Sequence, residues 1–108
     1  MQPSEIIKEL QELTQISRKG VEALYEAEND LAQAEANQDT IEAKAFLQAD
    51  GTVADRNALS RLEAVDARLE RDLAKAKVNR IRSKIKAIDS AIMAHATMSK
   101  IMQAEMRL

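Results

Sequence analysis

Apolar side chains recur every three or four residues along the first half of the chain, with no run of strand-like alternation. Ser4 follows Pro3 and can accept a hydrogen bond from a backbone N–H of a first helical turn. The pattern therefore predicts a long helix over residues 4–49. Its heptad-spaced row, here named the first row, consists of Ile6, Leu10, Leu13, Leu24, Ala27, Leu31, Ala34, Ile41 and Ala45, interrupted by Ser17, Gly20 and Gln38.

A single stretch in the middle of the chain has the residues of a helix breaker, Asp50-Gly51-Thr52-Val53. Glycine can adopt the left-handed conformation that ends a helix. Thr52 and Asp55 have the spacing of a capping box, in which each side chain binds the backbone N–H of the other residue. We predict a turn over residues 50–53, and a connection this short sets the two flanking helices antiparallel and in contact.

The second half of the chain has two apolar rows on a helix predicted over residues 53–105. These rows do not share one heptad frame, so we expect a register shift between Leu73 and Val78. The first of the two rows is Leu59, Leu62, Leu69 and Leu73, and the other is Val78, Ile81, Ile85, Ile88 and Ile92.

Together these elements predict an all-α fold, a long antiparallel two-helix hairpin of the coiled-coil type in a single domain over residues 1–108. Folding about Gly51 pairs residues whose numbers sum to about 102, so that residue 9 faces about residue 93. Because each helix of a hairpin is covered on one side only, we expect self-association into a dimer or a higher oligomer. The C-terminal residues Ile101, Met102, Met106 and Leu108 run past the start of the first helix and leave an apolar overhang.

Composition narrows the class of protein. Apolar residues make up 45% of the chain, but Tyr25 and Phe46 are the only aromatics, so little is available to line a ligand pocket. We therefore expect no cofactor and no small-molecule ligand. The chain has no cysteine, and no segment approaches the ~18 apolar residues of a membrane span. With no signal peptide pattern at the N-terminus, the sequence predicts a cytoplasmic protein without a membrane partner.

Charge is divided unevenly along the chain. Residues 1–50 carry eleven acids and four bases, whereas residues 51–108 carry twelve bases and seven acids, within a net charge of −2. Such asymmetry indicates either a nucleic-acid-binding face or two helices that attract each other in a hairpin. The basic segment consists of Lys75, Lys77, Arg80, Arg82, Lys84 and Lys86. It could contact a phosphate backbone, but the predicted pairing sets it opposite Glu22, Glu26 and Glu28.

Candidate catalytic and metal-binding residues are sparse. His95, the only histidine, has Ala91, Ile92, Met98 and Ser99 as its helical neighbours, which supply no further metal ligand. We expect a partly buried or interface histidine whose charge near pH 6 tunes association. Glu9 and Glu12, and Glu63 and Asp66, have the spacing of Mg²⁺-binding pairs, but the hairpin holds the two pairs far apart. We predict no enzyme, with no catalytic, cofactor or metal residues.

Two segments of the chain resemble segments of known proteins. They are EAKAFLQADGTVADRNA over residues 42–58 and QAEMRL over residues 103–108. Through them the chain resembles small coiled-coil proteins of tailed bacteriophages, often encoded near recombination or replication genes. The resemblance implies a phage protein that acts in the host cytoplasm, as an accessory to phage DNA metabolism.

The first functional hypothesis is a non-enzymatic, self-associating coiled-coil interaction protein. Methionine adapts to a partner helix, so the C-terminal cluster of Met93, Met98, Met102 and Met106 is either such a contact or part of an oligomer seam. The alternatives are an accessory nucleic-acid-binding protein that uses the basic segment, and a small phage inhibitor of a host enzyme or defence complex. The predicted interface residues are Ile6, Leu10, Leu13, Ile85, Ile88, Ile92, Met98, Ile101, Met102 and Met106.

Overall fold

The computed structural model describes residues 2–107. This part of the chain contains three α-helices and no strand. Helix α1 spans Pro3–Gln48, α2 spans Val53–Glu63 and α3 spans Val65–Arg107. The chain reverses between α1 and α2, which makes the fold the all-α helical hairpin that the apolar periodicity predicts. Met1 and Leu108, the latter part of the predicted overhang, lie outside the described residues.

The chain divides into two compact units. The terminal unit joins the described residues up to Leu24 with those from Arg80 onward, and the turn unit is Tyr25–Asn79. Helices α1 and α3 each contribute to both units, whereas α2 belongs to the turn unit alone.

Helix α1 begins one residue earlier than its sequence predicts. Pro3 is its first residue, a position that suits proline because its φ is already helical and its missing N–H has no helical partner. The carbonyl of Gln2 accepts hydrogen bonds from the N–H groups of Glu5 and Ile6, and the Glu5 carboxylate accepts one from the Gln2 N–H at 3.3 Å. The cap is therefore formed by Gln2 and Glu5, and Ser4 lies inside the helix.

The turn has the chemistry that its residues predict. Gly51 has a φ of 106°, a conformation that residues with a Cβ rarely adopt. Thr52 and Asp55 form a capping box at the start of α2, the Thr52 hydroxyl accepting from the Asp55 N–H and the Asp55 carboxylate from the Thr52 N–H. The Arg56 guanidinium donates to the Phe46 carbonyl at 3.0 Å and lies 4.2 Å from the centre of the Phe46 ring. That bond occupies a carbonyl of the last turn of α1, which has no partner within the helix.

We expect Gly51→Ala to lower the free energy of unfolding by about 1–2 kcal/mol, because the positive φ is unfavourable for an L-residue. An added Cβ would also lie 2.9 Å from the Asp55 carboxylate and 3.3 Å from the Asp55 Cβ. Urea unfolding followed by circular dichroism measures the change. The neighbouring variant Asp50→Ala is the control and should leave the midpoint nearly unaltered; equal midpoints for the two variants would contradict the assigned turn.

The face of α1 that packs inside the hairpin is the first row. Every member of that row, including its polar interruptions, is buried or half-buried. Ile6 is completely buried in the terminal unit, and Ala27 and Gln38 are buried in the turn unit. The amide of Gln38 is satisfied by a hydrogen bond to the Glu42 carboxylate at 2.9 Å. A strict heptad pattern in the sequence is thus an accurate guide to the buried face of this helix.

The second arm of the hairpin consists of α2 and α3. It was predicted to be one continuous helix, but the structure interrupts it at Ala64. Ala64 has φ −93° and ψ 9°, away from the α-helical ψ of about −42°. The Arg68 guanidinium donates to the Arg61 carbonyl at 3.0 Å across this interruption. The inward row of the arm advances twice by four residues and only then by alternating threes and fours. As far as Val78 it consists of Arg56, Ser60, Ala64, Ala67, Arg71, Ala74 and Val78.

The register shift of the second arm therefore lies at Ala64 and not between Leu73 and Val78. In a heptad pattern, steps of four and three residues alternate. Two successive steps of four insert one extra residue, and this insertion changes which side of the helix faces α1. Upstream of Val78 the inward face carries mainly alanines. The residues Leu59, Leu62, Leu69 and Leu73 are all exposed.

Candidate interaction surfaces

The ten predicted interface residues fall into three groups by exposure. Ile6 is 0% exposed, so it packs within the chain and offers no surface to a partner. The exposed group contains Met98, Ile101 and Met106, all near the end of α3. The remaining residues are half-buried: Leu10, Leu13, Ile85, Ile88, Ile92 and Met102.

An apolar groove lies in the terminal unit where its two helices approach each other. A Cβ added to Gly20 would lie 3.0 Å from the Ile85 side chain, so the glycine permits this close contact. The groove encloses about 250 Å³, and its apolar walls include Ile16, Ile81 and Ile88. Two of the half-buried predicted residues, Ile85 and Ile88, thus line this groove at the contact between the helices.

The helix pairing in the terminal unit is offset from the predicted one by two to four residues. The Glu9 carboxylate contacts His95, whereas the predicted pairing set residue 9 opposite residue 93. The Ser17 hydroxyl donates to the Asp89 carboxylate at 3.2 Å, whereas the predicted pairing set residue 17 opposite residue 85. The offset brings the only histidine of the chain against a carboxylate, which the apolar pattern did not predict.

His95 has a hydrogen-bond acceptor at each ring nitrogen. Nδ1 lies 2.8 Å from the Ala91 carbonyl oxygen, and Nε2 lies 2.5 Å from the Glu9 Oε2. A carbonyl and an ionised carboxylate can only accept, so both bonds form together only in the doubly protonated imidazolium. The backbone bond to Ala91, followed by the bond to Glu9 and its negative charge, raises the pKa of His95 above 6.5, and desolvation opposes this only in part.

We expect the stability of the protein to fall as the pH rises through the pKa of folded His95. A group whose pKa is raised by folding contributes stability that is fully present below its unfolded pKa of 6.5 and is lost above the folded value. Thermal unfolding measured from about pH 6 to about pH 8.5 should therefore show a declining midpoint. Glu9→Gln and His95→Gln should each flatten the decline. An unchanged slope in His95→Gln would show that another group is responsible.

All six residues of the basic segment are exposed. Lys75 and Lys77 belong to the turn unit and the other four to the terminal unit. Within the described part of the chain, Arg82 has an interaction partner, whereas the other five form no salt bridge. Arg80 and Arg82 lie about 200° apart around α3, so these bases flank the helix on two sides instead of forming one stripe.

One surface was not identified from the sequence. It consists of the four exposed leucines of the second arm, and we name it the leucine row. Leu59 is 44% exposed, Leu62 67%, Leu69 57% and Leu73 62%. The signal was present in the sequence as two apolar rows that do not share a frame. Only one of these rows can face α1, and the choice between them was not evident from periodicity.

The described residues contain no group of three or more histidine, cysteine or acidic side chains that could hold a metal ion. No helix within residues 2–107 is long and apolar enough to cross a membrane. Comparison of the chain with protein-family models, with curated proteins and with solved structures finds no match.

Proposed function

We propose that this chain is a non-enzymatic, self-associating helical hairpin that acts through protein–protein contacts. The observation that supports this most directly is its exposed area of 8158 Å². A compact monomer of 12.0 kDa exposes roughly 6,000 Å². The excess of about 2,200 Å² is larger than the ~800 Å² that one partner contributes to a standard interface.

The small core of the chain supports the same proposal. Among the described residues, the buried apolar side chains are two large aliphatic ones, Ile6 and Val78, and three alanines, Ala27, Ala64 and Ala67. Alanine buries little area on folding, so this core contributes little of the hydrophobic stabilisation that a domain requires. Burial against further copies of the chain supplies the missing apolar contact.

Sedimentation equilibrium over a concentration range from about 1 to about 100 μM tests the proposal. We expect a dimer or a higher oligomer in the upper part of this range and a rise in unfolding temperature with concentration, since association stabilises the folded state by mass action. A monomer throughout the range, with an unfolding temperature independent of concentration, would overturn the proposal.

The resemblance to coiled-coil proteins of tailed bacteriophages extends the proposal to a biological process and a cellular location. On that basis the chain is a phage accessory factor in the host cytoplasm that supports DNA recombination or replication, or inhibits a host enzyme or defence complex. Capture from host lysate, with purified oligomer as bait, separates these roles. A recombination or replication protein in the eluate supports the first role, and a host enzyme or defence protein supports the second.

A second candidate function is accessory nucleic-acid binding, which the exposure of the basic segment favours. Affinity that comes from phosphate contacts falls steeply with salt, and Lys77→Glu combined with Arg80→Glu should abolish retention of single- or double-stranded DNA at low salt. Lys44→Glu, an exposed base outside the segment, is the control. Failure of the wild-type chain to bind at any salt concentration removes this candidate.

A further inference from the structure

The leucine row lies on one face of the turn unit. Its members follow each other by three, seven and four residues, the spacing of a and d positions in a heptad, with Asp66 at the intervening position. Val65, beside this row, is also exposed. The row extends over more than three turns of helix, and Asp66 at its centre divides it into two pairs of leucines.

Between Leu59 and Ala74 the second arm of the turn unit has its alanines and a serine inside and its leucines outside. Its inward positions on the second arm include Ser60, Ala64 and Ala67, and the Ser60 hydroxyl reaches the Glu42 carbonyl of α1 at 2.8 Å. Small residues of this kind allow two helix backbones to approach closely, but they leave the larger hydrophobic side chains without cover. The four leucines form an apolar surface of the unit that lies outside the contact with α1, with Leu59 at its border beside α1.

The leucine row is close to symmetric about Asp66. Leu59 and Leu73 are each seven residues away from it, and Leu62 and Leu69 are four and three residues away. A strip with this spacing is complementary to itself when a second copy runs antiparallel, because a two-fold axis near Asp66 sets Leu59 against Leu73 and Leu62 close to Leu69. In an interface with two-fold symmetry, the same patch serves both partners.

We infer that the leucine row binds the leucine row of a second copy of this chain, antiparallel and about a two-fold axis near Asp66. The inference rests on the proposed self-association and names the surface that makes it. The exposed area of the whole chain exceeds that of a compact monomer by about 2,200 Å², more than the ~800 Å² that one partner contributes to a standard interface. Each leucine of the row is at least 44% exposed and so accessible to a second copy.

A groove beside Leu59 widens the contact from one helix to two. It encloses about 430 Å³, and its lining combines apolar and polar side chains: Ile41, Ala45, Ala49 and Leu59 with Lys44, Gln48 and Glu63. The two-fold arrangement brings Leu73 of the second copy to this groove at one end of the contact, and the same exchange occurs at the other end. Each copy thus supplies both a leucine that inserts and a groove that receives it.

The two Asp66 side chains meet near the axis of this arrangement, where like charges repel. Asp66→Asn removes the repulsion and should tighten dimerisation several-fold, with a smaller dependence on salt. Removing the charge also lowers the desolvation cost at an asymmetric apolar contact, so the reduced salt dependence is the sign that two like charges meet at the axis. Unchanged or weaker dimerisation of Asp66→Asn would count against the two-fold axis.

Single cysteines test the geometry, because the wild-type chain has none. Asp66→Cys should be linked to itself by a short thiol-reactive crosslinker much faster than Ala36→Cys, an exposed control position on α1. A mixture of Leu59→Cys and Leu73→Cys should give the mixed product in preference to either self-linked product. Linkage of Leu59→Cys to itself indicates parallel pairing and overturns the inference, as does equal linkage at residues 36 and 66.

Leu62→Gln combined with Leu69→Gln tests the energetics. Removing four leucines from a two-fold interface should weaken dimerisation at least about 100-fold, while the helical content of the chain is retained. Leu47→Gln, an isolated exposed leucine on α1, should leave dimerisation unchanged. If the double variant associates like the wild type, self-association stands but this surface is wrong. If the wild-type chain is itself monomeric, both proposals fail.

Discussion

Val78→Asp is expected to unfold the turn unit, lowering the free energy of unfolding by about 3–5 kcal/mol. Val78 is only 2% exposed, so an aspartate at this position is a buried charge without a partner, and such a charge costs several kcal/mol in proteins. Circular dichroism at 25 °C should show a large loss of helical signal, and urea unfolding should show a much lower midpoint or no cooperative transition.

Leu73→Asp is the matched control for Val78→Asp. Both residues lie on α3, in the same unit, and leucine is the more hydrophobic of the two original side chains. Leu73 is nevertheless exposed, so its replacement should preserve the helical signal of the chain and weaken only self-association. If Leu73→Asp proved as damaging to helicity as Val78→Asp, the inward face of the second arm would be incorrectly assigned.

Ala67→Leu is expected to lower the free energy of unfolding by about 1–3 kcal/mol, because added methylene groups must displace closely packed neighbours. Ala67 is buried on the inward face of α3, where alanine permits close contact with α1. Urea unfolding measures the effect. The direction is opposite to that expected from hydrophobicity, since leucine is the more apolar residue, and helix propensity differs little between the two.

Ala76→Leu makes the same change nine residues later on α3, at an exposed position. It should alter the unfolding midpoint little, since no close neighbour has to move. A stabilising Ala67→Leu would mean that the helices of the turn unit are farther apart than the structure places them. Together the two pairs of variants separate the inward face, which governs folding, from the leucine row, which governs association.

Several features of this fold could be predicted because they depend on local sequence. The heptad spacing of the first row identified the buried face of α1, and Gly51 with the Thr52–Asp55 capping box identified the chain reversal. Helix period, glycine conformation and capping each involve residues within one or two turns of each other. Such interactions require no knowledge of what packs against the helix.

The candidate surfaces depended on contacts between residues far apart in the chain. Glu9 and His95 meet because of a pairing offset of two residues, and no local pattern specifies an offset of that size. Once the offset is known, the two acceptors around the imidazole follow from geometry. The raised pKa of His95 is therefore a property of the hairpin and not of the residues that adjoin it in sequence.

The sequence by itself determined an all-α chain that folds back once at Gly51, with the first row inside. Only the tertiary structure decided which apolar row of the second arm lies inside, because that choice depends on how closely two helices can approach. Alanines and Ser60 allow a close approach, and the change of face at Ala64 brings them inward. Both apolar rows of the second arm have the helical period, so periodicity does not distinguish them. Packing of the second arm against α1 decides that the leucine row is exposed.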